Sequence, residues 1–140
     1  MVHALNEIWR VLIPGGTLVD LRPIADRWPV EVLTSRGAQR VGRVTDLPQG
    51  LADDAAANAA MAKGESTGLF QRRDEDTFPL YYTWDSPREM QEYIAEEWTD
   101  FAGLEESAWP QIRSAWAVAD ADARVGIRAR MLITRWIKRG

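Results

Sequence analysis

Few residue types that do chemistry come together in this sequence of 140 residues. The single imidazole is His3, beside the N-terminus, so neither a Ser-His-Asp arrangement nor a multi-histidine metal site has its parts. Without cysteine, thiol nucleophiles, thiolate zinc sites and disulfides are excluded as well. The glycines spell neither G-x-G-x-x-G nor G-x-x-x-x-G-K, so no phosphate-cradling loop is visible. Carboxylates are plentiful. Asp53-Asp54 and Asp74-Glu75-Asp76 carry the oxygen donors a hard cation such as Mg²⁺ prefers. Each also has a plainer explanation, the first pair as negative charge in the first turn of a helix, the second run as a polar turn between two strands. Glu92, Glu96 and Glu97 read as the solvated face of a helix. No metal ligand and no catalytic residue is assigned.

Asp20 and Arg22 stand out by position. They lie at the carboxyl end of the short apolar run Thr17-Leu18-Val19-Asp20-Leu21, and open α/β sheets place ligands at the carboxyl ends of their strands. A charged pair there could hold a polar substrate, or form a partly buried ion pair with a neighbour. Both readings stay open, and these two residues are the substrate-binding candidates.

The elements that would position them follow from periodicity and punctuation. Val2, Leu5, Ile8, Trp9 and Leu12 recur at steps of three and four, one apolar stripe of a helix ended by Pro14-Gly15-Gly16. A buried strand at Thr17–Leu21 follows, stopped by Arg22-Pro23. Residues 30–35 and 39–45 alternate polar and apolar around Arg36-Gly37-Ala38, which predicts an antiparallel hairpin with one solvated face. An Ala-rich helix runs from Asp53-Asp54 to Lys63 with Gly64 as its cap. Strands are expected at 69–73 and 77–84. Ser86-Pro87-Arg88-Glu89 is a capping box with Pro at the first helical position, and the helix it opens carries Met90, Tyr93, Ile94 and Trp98 on one face. Trp109, Ile112, Trp116, Ala119 and Ala123 mark another helix, with Ser107 as its cap, and alternation around Ile127–Thr134 predicts a long last strand.

These elements describe α/β to α+β architecture, a mixed and largely antiparallel sheet with about four helices in a single domain, 1–140. Seven tryptophans, each able to bury roughly 150–250 Å², are expected to anchor the core or an interface. The net charge is −4 but unevenly spread: residues 1–45 carry 6 basic and 4 acidic groups, 46–106 carry 4 and 15, and 107–140 carry 7 and 2. An acidic middle and basic end are expected to neutralise each other within the fold, and with a negative total and no aromatic residues spaced for base stacking within a Gly-rich or Lys-rich context, nucleic acid is not an expected partner. No stretch approaches the ~20 apolar residues of a membrane span, and the N-terminal residues lack the pattern of a secretion signal, so the expected location is cytoplasmic.

The run Ala4-Leu5-Asn6-Glu7-Ile8-Trp9-Arg10-Val11-Leu12-Ile13-Pro14-Gly15-Gly16-Thr17-Leu18-Val19 resembles the helix, Pro-Gly-Gly turn and fifth strand of class I S-adenosylmethionine-dependent methyltransferases, with Ile13 where that family usually has Lys. The resemblance covers about 20 residues. A helix near Ser86 and a late strand would suit the C-terminal half of this Rossmann-like family, with 30–45 as an insertion. In complete members a glycine-rich loop after the first strand and an acidic residue ending the second hold the cofactor. Neither has a counterpart here. The resemblance therefore implies S-adenosylmethionine as the family's cofactor but none bound by this chain alone, and no independent methyl transfer.

Three expectations follow: a methyltransferase-derived chain completed by a missing N-terminal half or a complementary chain, a non-catalytic binding or scaffolding module acting as a homodimer, or an unrelated small α+β ligand-binding protein. Under the first two, the strand after the Pro-Gly-Gly turn loses a neighbour, exposing a hydrogen-bonding edge and part of an apolar face that a partner should cover.

Overall fold

The computed structural model describes residues 2–140. In chain order it forms α1 (Val2–Val11), β1 (Thr17–Pro23), β2 (Pro29–Thr34), β3 (Gly37–Asp46), α2 (Pro48–Ser66), β4 (Phe70–Trp84), α3 (Pro87–Glu97), β5 (Ala102–Leu104), α4 (Ala108–Ala117) and β6 (Arg124–Lys138). The strands make one six-stranded sheet in the order β1-β6-β2-β3-β5, with β4 also paired to β6. The pairings β1–β6, β2–β3, β2–β6 and β3–β5 are all antiparallel, so the architecture is mixed α+β as the sequence pattern predicts.

The chain packs as two compact units, and the strands β4 and β6 each contribute to both. The first unit takes the chain up to Ile24, Ala52–Phe78 and Met131–Gly140. Its core is Leu5, Ala60, Met61, Phe70 and Trp136, with Ile8, Trp9, Leu12, Leu18 and Leu69 packed against them. The apolar stripe of α1 is the reason this helix forms here, because Leu5, Ile8, Trp9 and Leu12 all point into that core.

The second unit takes Ala25–Leu51 and Pro79–Arg130. Valines of β2 and β3, Met90 and Ile94 of α3, Ile112 of α4 and Val125 and Ile127 of β6 form its core. Trp98 sits at the centre of an aromatic cluster, with ring centroids 5.7 Å from Trp28, 5.3 Å from Tyr82, 6.4 Å from Trp84, 6.0 Å from Tyr93 and 5.1 Å from Phe101. Most of these contacts are edge-on or tilted, the arrangements that ring quadrupoles prefer.

Local signals held where they act within a few residues. Ser86 caps α3 by accepting the Glu89 backbone N–H at 3.2 Å, and the Glu89 carboxylate returns to the Asp85 backbone N–H at 3.2 Å. The hairpin forms between β2 and β3, although its turn is Ser35-Arg36, with Thr34 opposite Gly37. Four expectations need correction. The Ala-rich helix starts at Pro48, so Asp53-Asp54 lies in its second turn, and it runs through Gly64 to close on Gly68. There Gly68 adopts a left-handed φ of +77, which glycine tolerates, with Leu69 N–H bonded to the Gly64 carbonyl at 3.0 Å. The two strands expected at 69–73 and 77–84 are one continuous strand, so Asp74-Glu75-Asp76 forms no turn. Ser107 makes no side-chain cap, and α4 ends at Ala117, leaving Ala119 and Ala123 outside it. Finally, the last strand, Arg124–Lys138, does not keep one alternation: its buried positions switch from mainly odd (125, 127, 129, 131) to even (134, 136, 138).

Candidate functional site

The Pro-Gly-Gly turn delivers the chain from α1 into β1. Gly15 adopts φ +75, a conformation strained for any residue with a Cβ, and the Gly16 N–H closes the turn on the Ile13 carbonyl at 2.9 Å. The turn is latched to the end of β6 by Gly15 N–H to the Lys138 carbonyl at 3.2 Å and Lys138 N–H to the Gly16 carbonyl at 2.8 Å. From there β1 runs antiparallel to β6, from Thr17 opposite Ile137 to Pro23 opposite Met131.

Alternation along β1 puts Leu18, Asp20 and Arg22 on one side of the strand. Leu18 packs on the first unit's core. The structure brings the two sequence candidates together as a pair: Arg22 Nε donates to Asp20 Oδ2 at 3.2 Å, with side chains only 16% and 17% exposed. Arg22 Nη2 donates to Asn58 Oδ1 of α2 at 2.6 Å. Arg22 Nη1 is buried and has no hydrogen-bond partner, an uncompensated donor of the kind that costs stability in a folded chain. Each candidate is thus the other's counter-ion.

The opposite side of β1 corrects the expectation of a strand buried on both faces. Val19 is 53% and Leu21 55% exposed, and Ile133, opposite Leu21 in the ladder, is 36% exposed. Beside them, Arg135 pairs with Asp74 at 2.6 Å. β1 also ends the sheet order, so its single strand neighbour is β6, and that neighbour is antiparallel. One edge and one apolar face of the same strand are therefore uncovered among the described residues.

A second polar cluster, in the other unit, was not singled out by the sequence. Glu31 is buried at 6% exposure, where simple alternation predicts a solvated position. The register of β2 on β3 shifts between Val30 and Glu31. Tyr81 donates its hydroxyl to Glu31 Oε2 at 3.0 Å, and Arg128 Nε lies 3.4 Å from Oε1. Burial, and then the bond to the Glu31 carboxylate, pushes the Tyr81 phenol above its ordinary range. A glutamate flanked by Val30 and Val32 was the only available signal, and it does not distinguish a buried carboxylate from a solvated one.

Other carboxylates make structural pairs. Glu75 pairs with Arg72 at 3.3 Å and lies 3.4 Å from the Thr134 hydroxyl, and Glu92 pairs with Arg88 at 2.8 Å on the solvated face of α3. Among the described residues, no group of three or more His, Asp or Glu side chains is arranged to hold a metal ion. His3 is exposed on α1. Four arginines of the basic C-terminal stretch are paired: Arg124 with Asp85 and Arg135 with Asp74 from the acidic middle, but Arg128 with Glu31 and Arg130 with Asp26 from the first block. An open groove of about 310 Å³ runs beside the hairpin, but its charged residues Arg36 and Asp120 satisfy each other at 3.4 Å. Among the described residues, no helix is long and apolar enough to cross a membrane.

Compared with known proteins, the chain matches no family model, no curated protein and no solved structure.

Proposed function

We propose that this chain is methyltransferase-like: the C-terminal portion of a class I S-adenosylmethionine-dependent methyltransferase fold, without methyl transfer of its own. The cofactor-binding half comes from residues other than these 140, and activity belongs to the assembled whole. The observation that supports this reading is the open edge of β1. The strand that follows the helix and Pro-Gly-Gly turn bonds to β6 on one side only, and it exposes Val19 and Leu21, as a strand does when further strands are to be added. S-adenosylmethionine enters through the resemblance alone. Asp20 and Arg22, in the carboxyl half of that strand, are the candidates for contact with the methyl acceptor. A cytoplasmic location goes with this reading. A second reading, a non-catalytic scaffolding module acting as a homodimer, draws on the charge pattern of the same strand.

Calorimetric titration with S-adenosylmethionine tests the division of labour. The 140 residues alone are expected to give no binding heat. The DNA just upstream, read in frame for a glycine-rich loop after a strand, tells which extended chain to titrate beside them, and that chain is expected to bind. Micromolar affinity in the 140 residues alone would overturn the proposal, and so would the absence of binding in every extended form.

A further inference from the structure

The edge of β1 carries a charge pattern that is complementary to itself. Natural sheets protect open edges with charge, proline or bulges. β4 follows that rule with Arg72, Arg73, Asp74, Glu75, Asp76 and Pro79 along an exposed stretch. β1 does not: Val19 and Leu21 are exposed, and its one proline, Pro23, comes last.

The backbone phase of β1 decides which groups are available. Lys138 N–H reaches the Gly16 carbonyl at 2.8 Å, and in an antiparallel ladder the residues whose backbone groups face the partner alternate. Even-numbered residues of β1 therefore turn their N–H and C=O toward β6. Val19 and Leu21 turn theirs outward.

We infer that two copies of this chain pair edge to edge through β1, antiparallel and centred on Leu21. In that register Leu21 and the partner's Leu21 exchange both backbone hydrogen bonds, and the Val19 N–H on each side meets the carbonyl of the partner's Pro23. Asp20 lies directly opposite the partner's Arg22, and Arg22 opposite the partner's Asp20. These are non-hydrogen-bonded positions, the closer of the two kinds. Four charges then alternate in sign around the two-fold axis. Each Arg22, already paired with its own Asp20, then has the partner's Asp20 directly opposite it as well. Neighbouring registers lack this match: centring on Asp20 sets Asp20 against the partner's Asp20, a destabilising like-charge pair, and centring on Val19 sets Asp20 against the partner's Leu18.

The pairing requires nothing of the cofactor reading, yet it uses the same edge and the same Asp20 and Arg22. The two therefore compete for one edge: these 140 residues alone pair with themselves, and a cofactor-binding half takes the place of the second copy.

Mass by light scattering across a concentration series tests the pairing, with circular dichroism as the check on folding and no cofactor present. The wild-type chain is expected to double in mass with concentration. Asp20→Arg and Arg22→Asp, each of which sets like charges across the axis, are expected to stay monomeric. Mixed in equal amounts they are expected to form a one-to-one heterodimer, because the doubly basic strand then faces the doubly acidic one. Leu21→Lys removes no intrachain partner and places two ammonium groups at the axis. It carries the test if either charge variant fails to fold: a monomer supports the pairing, and a persisting dimer overturns it. A wild-type chain monomeric at every concentration leaves the edge to some other chain and overturns the inference. So does a dimer that survives both charge variants, or a mixture that stays monomeric.

Discussion

The ammonium of Lys138 donates a hydrogen bond to the carbonyl of Leu12 at 2.7 Å, just past the last residue of α1. It also stands 4.1 Å from the centre of the Trp9 ring, and the lysine as a whole is only 8% exposed. A buried cation is thus placed at the negative end of a helix and over an aromatic face, two settings that favour the charge. Together with the backbone bonds between Lys138 and the Gly15-Gly16 turn, it ties α1 to the last strand. Lys138→Met keeps most of the stem but removes the charge, and is expected to lower stability by about 1.5–3 kcal/mol, the range for a hydrogen bond to a charged group. Urea denaturation measures it. An unchanged midpoint would mean that the cap is idle.

Trp98→Ala tests the aromatic cluster. One side chain, 5% exposed, touches five other rings, so truncation removes the centre of the second unit's core rather than a single contact. A loss of roughly 3–5 kcal/mol is expected, with collapse of the near-ultraviolet dichroism. A cost below that of an ordinary surface change would show that the remaining rings close over the gap.

Gly42 tests the approach of β3 to α4. A Cβ built on it would lie 2.5 Å from the Ala108 Cβ and 3.2 Å from its Cα, closer than side chains approach. Gly42→Ala is expected to cost about 1–3 kcal/mol by overpacking. Ala108→Gly in the same chain should recover part of the loss, since it removes the nearer atom, and a double-mutant cycle measures that coupling. Strict additivity would refute the contact.

The Tyr81–Glu31 bond sets an alkaline limit. The Tyr81 phenol is held above its ordinary range, by burial first and by Glu31 second, so the folded chain favours the neutral phenol. This contribution is fully present below the unfolded phenol value of about 10, and is lost as pH rises through the higher folded value. Tyr81→Phe is expected to cost about 1–3 kcal/mol at neutral pH by leaving one buried oxygen of Glu31 unpaired. It should also flatten the alkaline loss of stability, leaving the part due to Tyr82, which burial pushes up as well. Absorbance at the phenolate band against pH reads both. An unaltered alkaline profile in Tyr81→Phe would contradict the assignment.

Some of this architecture was legible in single segments. The Ser86-Pro87-Arg88-Glu89 box, the Gly15-Gly16 turn and the alternation of the hairpin all act within four or five residues, so the elements they specify formed near the predicted bounds. Gly64 shows the limit of such reading. It looked like a helix stop, yet it lies inside α2, where a Cβ would meet only ordinary contacts with Phe70 and Leu5, and Gly68 closes the helix instead. The run Asp74-Glu75-Asp76 looked like a turn because charge disfavours strands on average. In the structure it lies inside β4, which pairs with β6, with Glu75 beside Arg72 and Asp74 beside Arg135.

The sequence by itself determined where the chain turns and caps, which faces of α1 and α3 are apolar, and that Asp20 and Arg22 follow the Pro-Gly-Gly turn in one strand. Only the tertiary structure decided that those two residues pair with each other, that β1 is an edge with Val19 and Leu21 uncovered, and that Glu31 is buried under a tyrosine 50 positions away. The reason is physical. Caps and turns depend on backbone angles and hydrogen bonds between near neighbours, whereas burial and ladder pairing depend on which distant segments arrive alongside, as Leu12 and Lys138 do across 126 positions.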